Sequence, residues 1–212
     1  AGRGRLGRSF YSPENSGLYM TLAFRPTFDL SKSLCITSAA AVSVCKAIEK
    51  ITHVHPKIKW VNDIFLGGKK VCGILTEAET NFENGKIDKL IIGIGINCFK
   101  TNFPPELQDI AGVLAIGKSS FARNALAAEI INQLFAILTD FDKSNFLAEY
   151  KSRCFILGKK IVVHPNLKKE GITARAIDID DNCGLVVEYL EGHMKHQMGV
   201  LNTGEISIKI ER

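Results

Sequence analysis

The residues best suited to chemistry in this sequence lie at positions 2 to 8, which read Gly-Arg-Gly-Arg-Leu-Gly-Arg. A guanidinium group pairs bidentately with a phosphate or a carboxylate, and the intervening glycines let backbone N–H groups approach the same anion. The segment therefore predicts an anion-binding loop. A flexible basic tail that touches nucleic acid has the same composition, so this segment alone does not decide between them.

A second group of polar residues interrupts an apolar stretch at Lys59-Trp60-Val61-Asn62-Asp63, and Lys70 follows beyond the pair Gly67-Gly68. The glycine pair favours a tight hairpin turn, which would bring Lys70 back beside the Asn-Asp pair. Gly73 would leave space for a ligand against the strand, so that Lys70 can face a pocket. Taken alone, an Asn-Asp pair is more often turn chemistry and a tryptophan is more often core.

The composition of the chain limits the classes of protein to which it could belong. The chain has 212 residues, with 27 Lys+Arg against 22 Asp+Glu, and the resulting charge of +5 is too small to argue for nucleic acid by itself. The six cysteines form no C-x-x-C pair, which predicts free, buried thiols in a reducing compartment. The five histidines show no metal-ligand spacing, and no apolar run is long enough to span a membrane. We expect a cytoplasmic protein without a membrane partner.

Strands and helices must position these residues, and the sequence patterns for them predict an α+β fold. We expect a mixed or antiparallel sheet packed on helices. Strand-forming patterns occupy residues 17–26, 58–66, 70–77 and 89–97. Helix-forming patterns occupy residues 36–52 and 120–150. The second of these stretches is predicted to be two helices that meet near residues 140–144. The two glycines in residues 89–97 indicate close approach of another backbone or a ligand.

From residue 157 onward, short strands alternate with Gly, Asn and Asp turns. Strands are predicted at 161–163, 173–179, 185–189 and 206–210. This pattern is typical of a small β-barrel. We therefore expect two domains, 1–156 and 157–212.

Taken in order, three stretches resemble the catalytic domain of biotin protein ligases, also called biotin–[acetyl-CoA-carboxylase] ligases. They are residues 2–8 followed by Ser12-Pro13 and Leu18-Tyr19, residues 59–63 running to Lys70 and to 73–77, and Gly93-Ile94-Gly95-Ile96-Asn97. A weaker match, residues 204–209, closes the small β module. The resemblance implies a class II synthetase-like biotin/lipoate ligase fold with an SH3-like C-terminal barrel.

The resemblance also implies a two-step reaction. Biotin's carboxylate attacks the α-phosphorus of ATP to give biotinyl-5′-AMP and pyrophosphate, and a lysine of a biotin carboxyl carrier domain then attacks that mixed anhydride. A carboxylate that approaches a polyphosphate is repelled, so cations must neutralise both partners. Magnesium is expected, held largely through phosphates rather than by a dedicated protein site.

Residue by residue, the resemblance assigns three overlapping sets. The catalytic residues are Lys70, Arg5 and Asp63. Biotin is placed against Arg3, Gly4, Arg5, Lys70 and Gly73. ATP or the adenylate is placed against Arg5, Arg8, Phe10, Asn62, Asp63, Lys70 and Asn97. The C-terminal module is expected to add Glu205 and Lys209. Asp63 has two candidate roles, orienting magnesium-bound phosphate or aligning the acceptor lysine and taking its proton.

Four features qualify the resemblance. Val61 stands where the family often has proline, and Lys209 stands where it more often has arginine. The family also carries a strand, a helix and biotin-binding Ser, Thr and Gln residues before the arginine loop. This sequence begins one residue before that loop, so the biotin ureido group would lack partners and we expect this polypeptide alone to be weakly active or inactive. Some members also carry an N-terminal DNA-binding domain, which we do not expect within residues 1–212. A homodimer is expected through the strand at 89–97, by sheet extension.

Three other functions stay open. A lipoate–protein ligase shares the fold and the adenylation chemistry. A non-catalytic biotin or adenylate sensor would keep the binding residues without turnover. A nucleic-acid-binding module would use Arg3, Arg5 and Arg8 on phosphates, but it also predicts aromatic and basic residues interleaved on a sheet face, which the C-terminal strands do not offer.

Overall fold

The structure is a computed structural model that describes residues 2–4, 7, 9–26, 33–81, 86–115, 121–141, 145–164, 171–202 and 209–210. At its start, β1 (Gly2–Arg3) and β2 (Ser9–Phe10) form a small antiparallel hairpin in which Gly2 lies opposite Phe10. The Gly2 N–H donates to the Ser12 hydroxyl at 3.0 Å. The predicted anion-binding loop is therefore the connection of a hairpin.

The main sheet is five-stranded and antiparallel. Its strands are β3 (Gly17–Phe24), β4 (Lys57–Lys59), β5 (Asp63–Leu66), β6 (Lys69–Asn81) and β7 (Lys86–Asn97), in the order β3-β7-β6-β5-β4. Alternate residues of β7 lie on opposite faces of this sheet and show how the two faces differ. Ile92, Ile94 and Ile96 are buried on one face, while Gly93 and Gly95 lie on the other.

Among the described residues of this part of the chain there are three α-helices: α1 (Ser33–Thr52), α2 (Arg123–Thr139) and α3 (Phe146–Arg153). Helix α1 is buried over most of its length, with Ala39, Val42 and Ala47 fully inaccessible to solvent. Its Thr37 hydroxyl lies 3.0 Å from the hydroxyl of Thr76 in β6. The helices therefore cover the isoleucine face of the sheet and leave the glycine face open.

A second five-stranded antiparallel sheet follows. It contains β8 (Lys160–Val163), β9 (Ile172–Ile179), β10 (Leu185–Tyr189), β11 (Met198–Leu201) and β12 (Lys209–Ile210), in the order β11-β10-β9-β8-β12. Its buried side chains join those of the first sheet in one hydrophobic core. The predicted domain boundary near residue 156 stays a prediction.

The α+β class and the antiparallel arrangement predicted from the sequence are confirmed. Two strand predictions need correction. The stretch 58–66 is two strands, β4 and β5, because residues 60–62 form a turn between them. Strand β11 was missed, while residues 206–208 of the last predicted strand lie outside the described residues. Among the helices that the structure describes, none is long and apolar enough to cross a membrane.

The homodimer through residues 89–97 stays a prediction, but the pairing of this strand limits how it could form. Residues 90–97 pair with β3 on one side, and residues 86–96 pair with β6 on the other. Sheet extension needs a strand with an unpaired edge, and β7 is an interior strand.

Candidate active site

One row of residues crosses the open face of the main sheet and defines the candidate site. Register places Tyr19 opposite Gly95, Gly95 opposite Gly73, Gly73 opposite Asp63, and Asp63 opposite Lys59. Residues that lie directly opposite each other in an antiparallel sheet share a face. The row therefore has two parts. One is a charged end formed by Asp63 and Lys59, and the other, here called the glycine floor, is formed by Gly73 and Gly95, which have no side chains.

Lys70 reaches this face because of a β-bulge. It lies three residues before Gly73, an odd spacing that would put the two on opposite faces of a regular strand. The pairing of β5 with β6 shifts between Ile64 and Phe65, so that Phe65 lies opposite Lys70. A bulge adds one residue to one strand and so restores the shared face. The Lys70 ammonium lies 2.6 Å from the Asp63 carboxylate, and both side chains are partly exposed.

The backbone of Lys70 is held independently of its side chain. Its N–H donates to the Ile110 carbonyl at 2.8 Å, and its carbonyl accepts from the Gly112 N–H at 2.8 Å. These bonds tie the start of β6 to the segment that follows β7, here called the groove segment (residues 98–115). Lys70 is thus fixed by two elements that are distant in sequence.

Lys59 is a site residue that the sequence analysis quoted but did not assign. Burial lowers the pKa of the Lys59 ammonium, and the nearby Lys70 charge lowers it further, while the Asp63 carboxylate acts in the opposite direction. Its ammonium also lies 6.0 Å from the centre of the Phe65 ring. Two cations and one carboxylate are thereby gathered at one end of the glycine floor. In the sequence, only the alternation of side chains between the two faces of β4 could have assigned Lys59 to the site. That alternation is hard to recognise in a strand of three residues.

The Phe10 ring lies directly over the two glycines. A Cβ atom added to Gly95 would lie 2.8 Å from a Phe10 ring carbon, and one added to Gly73 would lie 3.3 Å from another. The same Cβ on Gly73 would lie 3.3 Å from the Lys70 ammonium. The ring also meets Tyr19 edge to face, with the centroids 6.3 Å apart. The Phe10 ring therefore covers the glycine floor, and the covered floor ends beside Lys70.

The two predicted asparagines have clear structural partners. The Asn62 side-chain amide donates to the Ile74 carbonyl at 2.8 Å, and the Ile74 N–H donates to the Asn62 carbonyl at 3.0 Å. Asn97 is only 6% exposed at the end of β7, and its carbonyl accepts from the Leu114 N–H at 2.9 Å. Both residues anchor the walls of the site. A direct contact of either with a nucleotide stays a prediction.

The groove segment lines an open groove of about 580 Å³ beside the hairpin tip of β5 and β6. Its walls carry Lys69 and Lys100, together with Phe103 and Val113. The base of the segment is held by Arg123, whose guanidinium donates to the Gly17 carbonyl at 3.0 Å and lies 5.9 Å from the centre of the Phe99 ring. The sequence analysis did not single out this segment, because it contains no regular hydrophobic pattern.

The remaining predicted residues are only partly located. Arg3 is exposed and Gly4 is half-buried in the N-terminal hairpin region. Lys209 lies in β12 opposite Val162, in the second sheet. Arg5, Arg8 and Glu205 lie outside the described residues. The structure thus brings together Lys70, Asp63, Gly73 and Phe10 from the predicted set and adds Lys59 and Gly95.

The chain is similar in sequence to known proteins. Residues 1–97 match the model of the Biotin/lipoate A/B protein ligase family. The Bifunctional ligase/repressor BirA of Bacillus subtilis (strain 168) is 44% identical over 117 residues, which cover 54% of this chain and 35% of that protein. The Biotin--[acetyl-CoA-carboxylase] ligase of Mycobacterium tuberculosis (strain ATCC 25618 / H37Rv) is 26% identical over 197 residues, 89% of this chain and 70% of the relative.

Among solved structures, the biotin protein ligase from Aquifex aeolicus in complex with biotin and ATP has a TM-score of 0.79 and 28% sequence identity, over 99% of this chain and 84% of that one. The chain spans about a third of the length of the Bacillus relative. Residues 1–97 are therefore similar to the Biotin/lipoate A/B protein ligase family, and the chain has the fold of a biotin protein ligase.

Proposed function

We propose that this protein attaches biotin to a lysine of a carrier protein, using ATP and passing through biotinyl-5′-AMP. The observation that carries the proposal is the Lys70–Asp63 pair at the end of the glycine floor. A largely apolar molecule with a terminal carboxylate fits this geometry, because its body can pack beside the Phe10 ring that covers Gly73 and Gly95 while its anionic end reaches Lys70. The similarity to a structure that contains biotin and ATP supports the same choice.

In this proposal the Lys70 ammonium exchanges its carboxylate partner during the reaction. Without substrate it is paired with Asp63 at 2.6 Å. When the biotin carboxylate and the α-phosphate of ATP arrive, Lys70 lies between the two anions and reduces their repulsion. Two unit charges about 4 Å apart interact by about 4 kcal/mol at an effective dielectric constant near 20, so one well-placed cation matters. Asp63 is then released for magnesium or for the acceptor amine.

Lys59 contributes a second positive charge at the same end of the site. Because it lies opposite Asp63, it keeps a cation beside that carboxylate when Lys70 turns to the substrates. The arginines at positions 3, 5 and 8 are proposed to close over the phosphates from the N-terminal hairpin. A closed loop excludes water, which strengthens each of these electrostatic contacts.

The nucleotide is proposed to run from Lys70 toward Asn97 and the groove segment. The hydrogen bonds of the Lys70 backbone with Ile110 and Gly112 place that segment next to the reaction centre. Among the described residues, no three His, Cys, Asp or Glu side chains are grouped so that they could hold a metal ion. Magnesium is proposed to be bound mainly by phosphate oxygens, with Asp63 as one protein ligand, and to neutralise the triphosphate.

The acceptor is proposed to be the biotin carboxyl carrier domain of a biotin-dependent carboxylase, as the name of the mycobacterial relative suggests for that protein. Such a reaction would take place in the cytoplasm. The carbon–nitrogen bond forms when the acceptor amine attacks the carbonyl of the mixed anhydride, and AMP leaves with the bonding electron pair. In this proposal Asp63 accepts the proton that the amine loses.

ATP–pyrophosphate exchange dependent on biotin tests the first step, and it should be measured on the full-length gene product with magnesium present. We expect exchange in the wild type and a loss of about 100-fold or more in Lys70→Met, the range found when a group that stabilises developing charge is removed. Lys89→Met is a matched control, because Lys89 forms an exposed ion pair with Glu79 on the same sheet.

Three results would contradict the proposal. Exchange that is tenfold faster with lipoate than with biotin would indicate a lipoate ligase. No exchange from a folded protein would indicate a sensor. Equal activity of the Lys70 and Lys89 variants would remove Lys70 from the reaction.

A further inference from the structure

The strand that carries Asp63 is attached to the second sheet through Trp60. Trp60 is 5% exposed, so its indole is not available to a ligand. Its indole N–H donates to the backbone carbonyl of Cys183 at 2.9 Å, across 123 residues of sequence. Cys183 lies in the turn between β9 and β10, in the second sheet. This bond therefore joins the active-site strand to a module that contributes no residue to the Lys70–Asp63 pair.

The turn that offers this carbonyl is itself well ordered by hydrogen bonds. The Asp180 carboxylate accepts from the N–H groups of Asn182 at 3.0 Å and Gly184 at 2.7 Å. The Asp180 N–H donates to the Gly184 carbonyl, and the Cys183 N–H donates to the Asp180 carbonyl, both at 2.9 Å. An aspartate that closes a turn in this way reduces the freedom of the loop backbone. The Cys183 carbonyl is thus held as a fixed acceptor.

Each residue between Trp60 and Asp63 is held by a different element. The Val61 carbonyl accepts from the hydroxyl of the fully buried Tyr150 in α3 at 3.1 Å. Asn62 is bonded to Ile74 of β6 through both its backbone and its side chain. Because Asp63 follows directly, small shifts of this turn change the distance between its carboxylate and Lys70.

We propose that Trp60 is a positioning residue through which the second sheet sets the placement of Asp63 for the ligase reaction. This inference rests on the proposed function for its consequences in turnover. Its structural part, the coupling of the turn at 180–184 to the strand at 63–66, can be measured without turnover. Trp60 acts through Asp63 and touches neither substrate.

The test compares three single variants. Trp60→Phe keeps an aromatic ring but removes the N–H donor, and Asp180→Ala disorders the turn that presents the acceptor. Ser43→Ala is the control, because the buried Ser43 hydroxyl donates to the Ala39 carbonyl at 2.8 Å within α1, far from Asp63 in the chain. Biotin transfer and hydrogen exchange of the backbone amides are measured on each variant, well below its unfolding temperature.

We expect Trp60→Phe and Asp180→Ala each to lower kcat about fivefold to tenfold, because the rate falls steeply when a catalytic group is displaced by a fraction of an ångström. The KM values for ATP and biotin should change less than twofold. The double variant should be no slower than the slower single one, since both act on the same hydrogen bond. Amides in residues 58–66 should exchange faster in both variants and stay unchanged in Ser43→Ala.

The inference is overturned if Trp60→Phe leaves both kcat and exchange of residues 58–66 as in the Ser43 control, or if the two effects simply multiply in the double variant. Absence of any biotin-dependent turnover in the wild type would instead refute the proposed function. In that event the amide exchange of residues 58–66 still decides whether the second sheet positions the strand.

Discussion

A methyl group added to the glycine floor gives the sharpest test of the site, because β7 offers a matched pair of positions. Gly93 and Gly95 lie two residues apart on the same face of the same strand. A Cβ on Gly95 would lie 2.8, 3.0 and 3.2 Å from three carbons of the Phe10 ring. A Cβ on Gly93 would meet the Leu75 carbonyl oxygen at 3.7 Å, an ordinary contact.

The expected energies follow from these distances. Carbon atoms pack best about 3.5–4.0 Å apart, so Gly95→Ala forces the Phe10 ring to retreat by about 0.7 Å or more. Overpacking of this kind costs about 1–3 kcal/mol when the neighbour is fixed. Phe10 lies in a two-residue strand, which lets it move, so the lower end of the range applies. Both substitutions also reduce the entropy of the unfolded chain, which favours folding by about 0.4–1 kcal/mol.

We therefore expect Gly93→Ala to be neutral or slightly stabilising and Gly95→Ala to be less stable than it by about 1 kcal/mol. Biotin affinity should fall at least tenfold in Gly95→Ala, since the methyl group pushes the Phe10 ring into the space proposed for the ligand. Urea unfolding and calorimetric titration with biotin measure the two effects. Adding Phe10→Ala to Gly95→Ala should remove the loss of stability. Equal stability and equal affinity of the two glycine variants would refute this account of the floor.

Two further predictions concern groups outside the floor. Burial raises the pKa of the Cys45 thiol to about 12. In the folded protein at pH 8 this thiol should therefore react slowly with a maleimide, and it should become reactive in denaturant. Mass spectrometry measures the labelling, and rapid labelling of the folded protein would contradict this. The hydrogen bond from Arg153 lowers the pKa of the Glu49 carboxyl below 4.5. The unfolded state then binds more protons between the two pKa values, so this stabilisation is present above about pH 4.5 and is lost as the pH falls through the folded pKa. Glu49→Gln should flatten the acid limb of stability measured by urea unfolding between about pH 6 and 3, and an unchanged slope would contradict the assignment.

Much of the site was accessible from residue types and their order. The glycine pair at 67–68 predicted the hairpin, and the hairpin does return Lys70 to Asp63. The glycines at 93 and 95 predicted close approach of another backbone or a ligand, whereas the group that approaches Gly95 is the Phe10 side chain. The six cysteines are free and buried, as their spacing predicted. These features are local, so a short stretch of sequence carries them.

Other features depend on which strands become neighbours. Residues 89–97 look like an edge strand in sequence, but β3 and β6 cover both of their edges. Trp60 reads as an ordinary core residue, yet its indole reaches Cys183 in another sheet. The groove segment has no periodic pattern, and only its bonds to Lys70 show that it belongs to the site.

The sequence by itself determined the chemistry: which cations, carboxylate and glycines are present, and that strands and helices alternate in an α+β order. The tertiary structure decided their assembly. Lys70 and Gly73 share a face only because the β5–β6 pairing contains a bulge, and Lys59 joins them only because β4 turns back onto β5. Register is fixed by packing of the isoleucine face against the helices, which is a property of the whole fold and not of any segment.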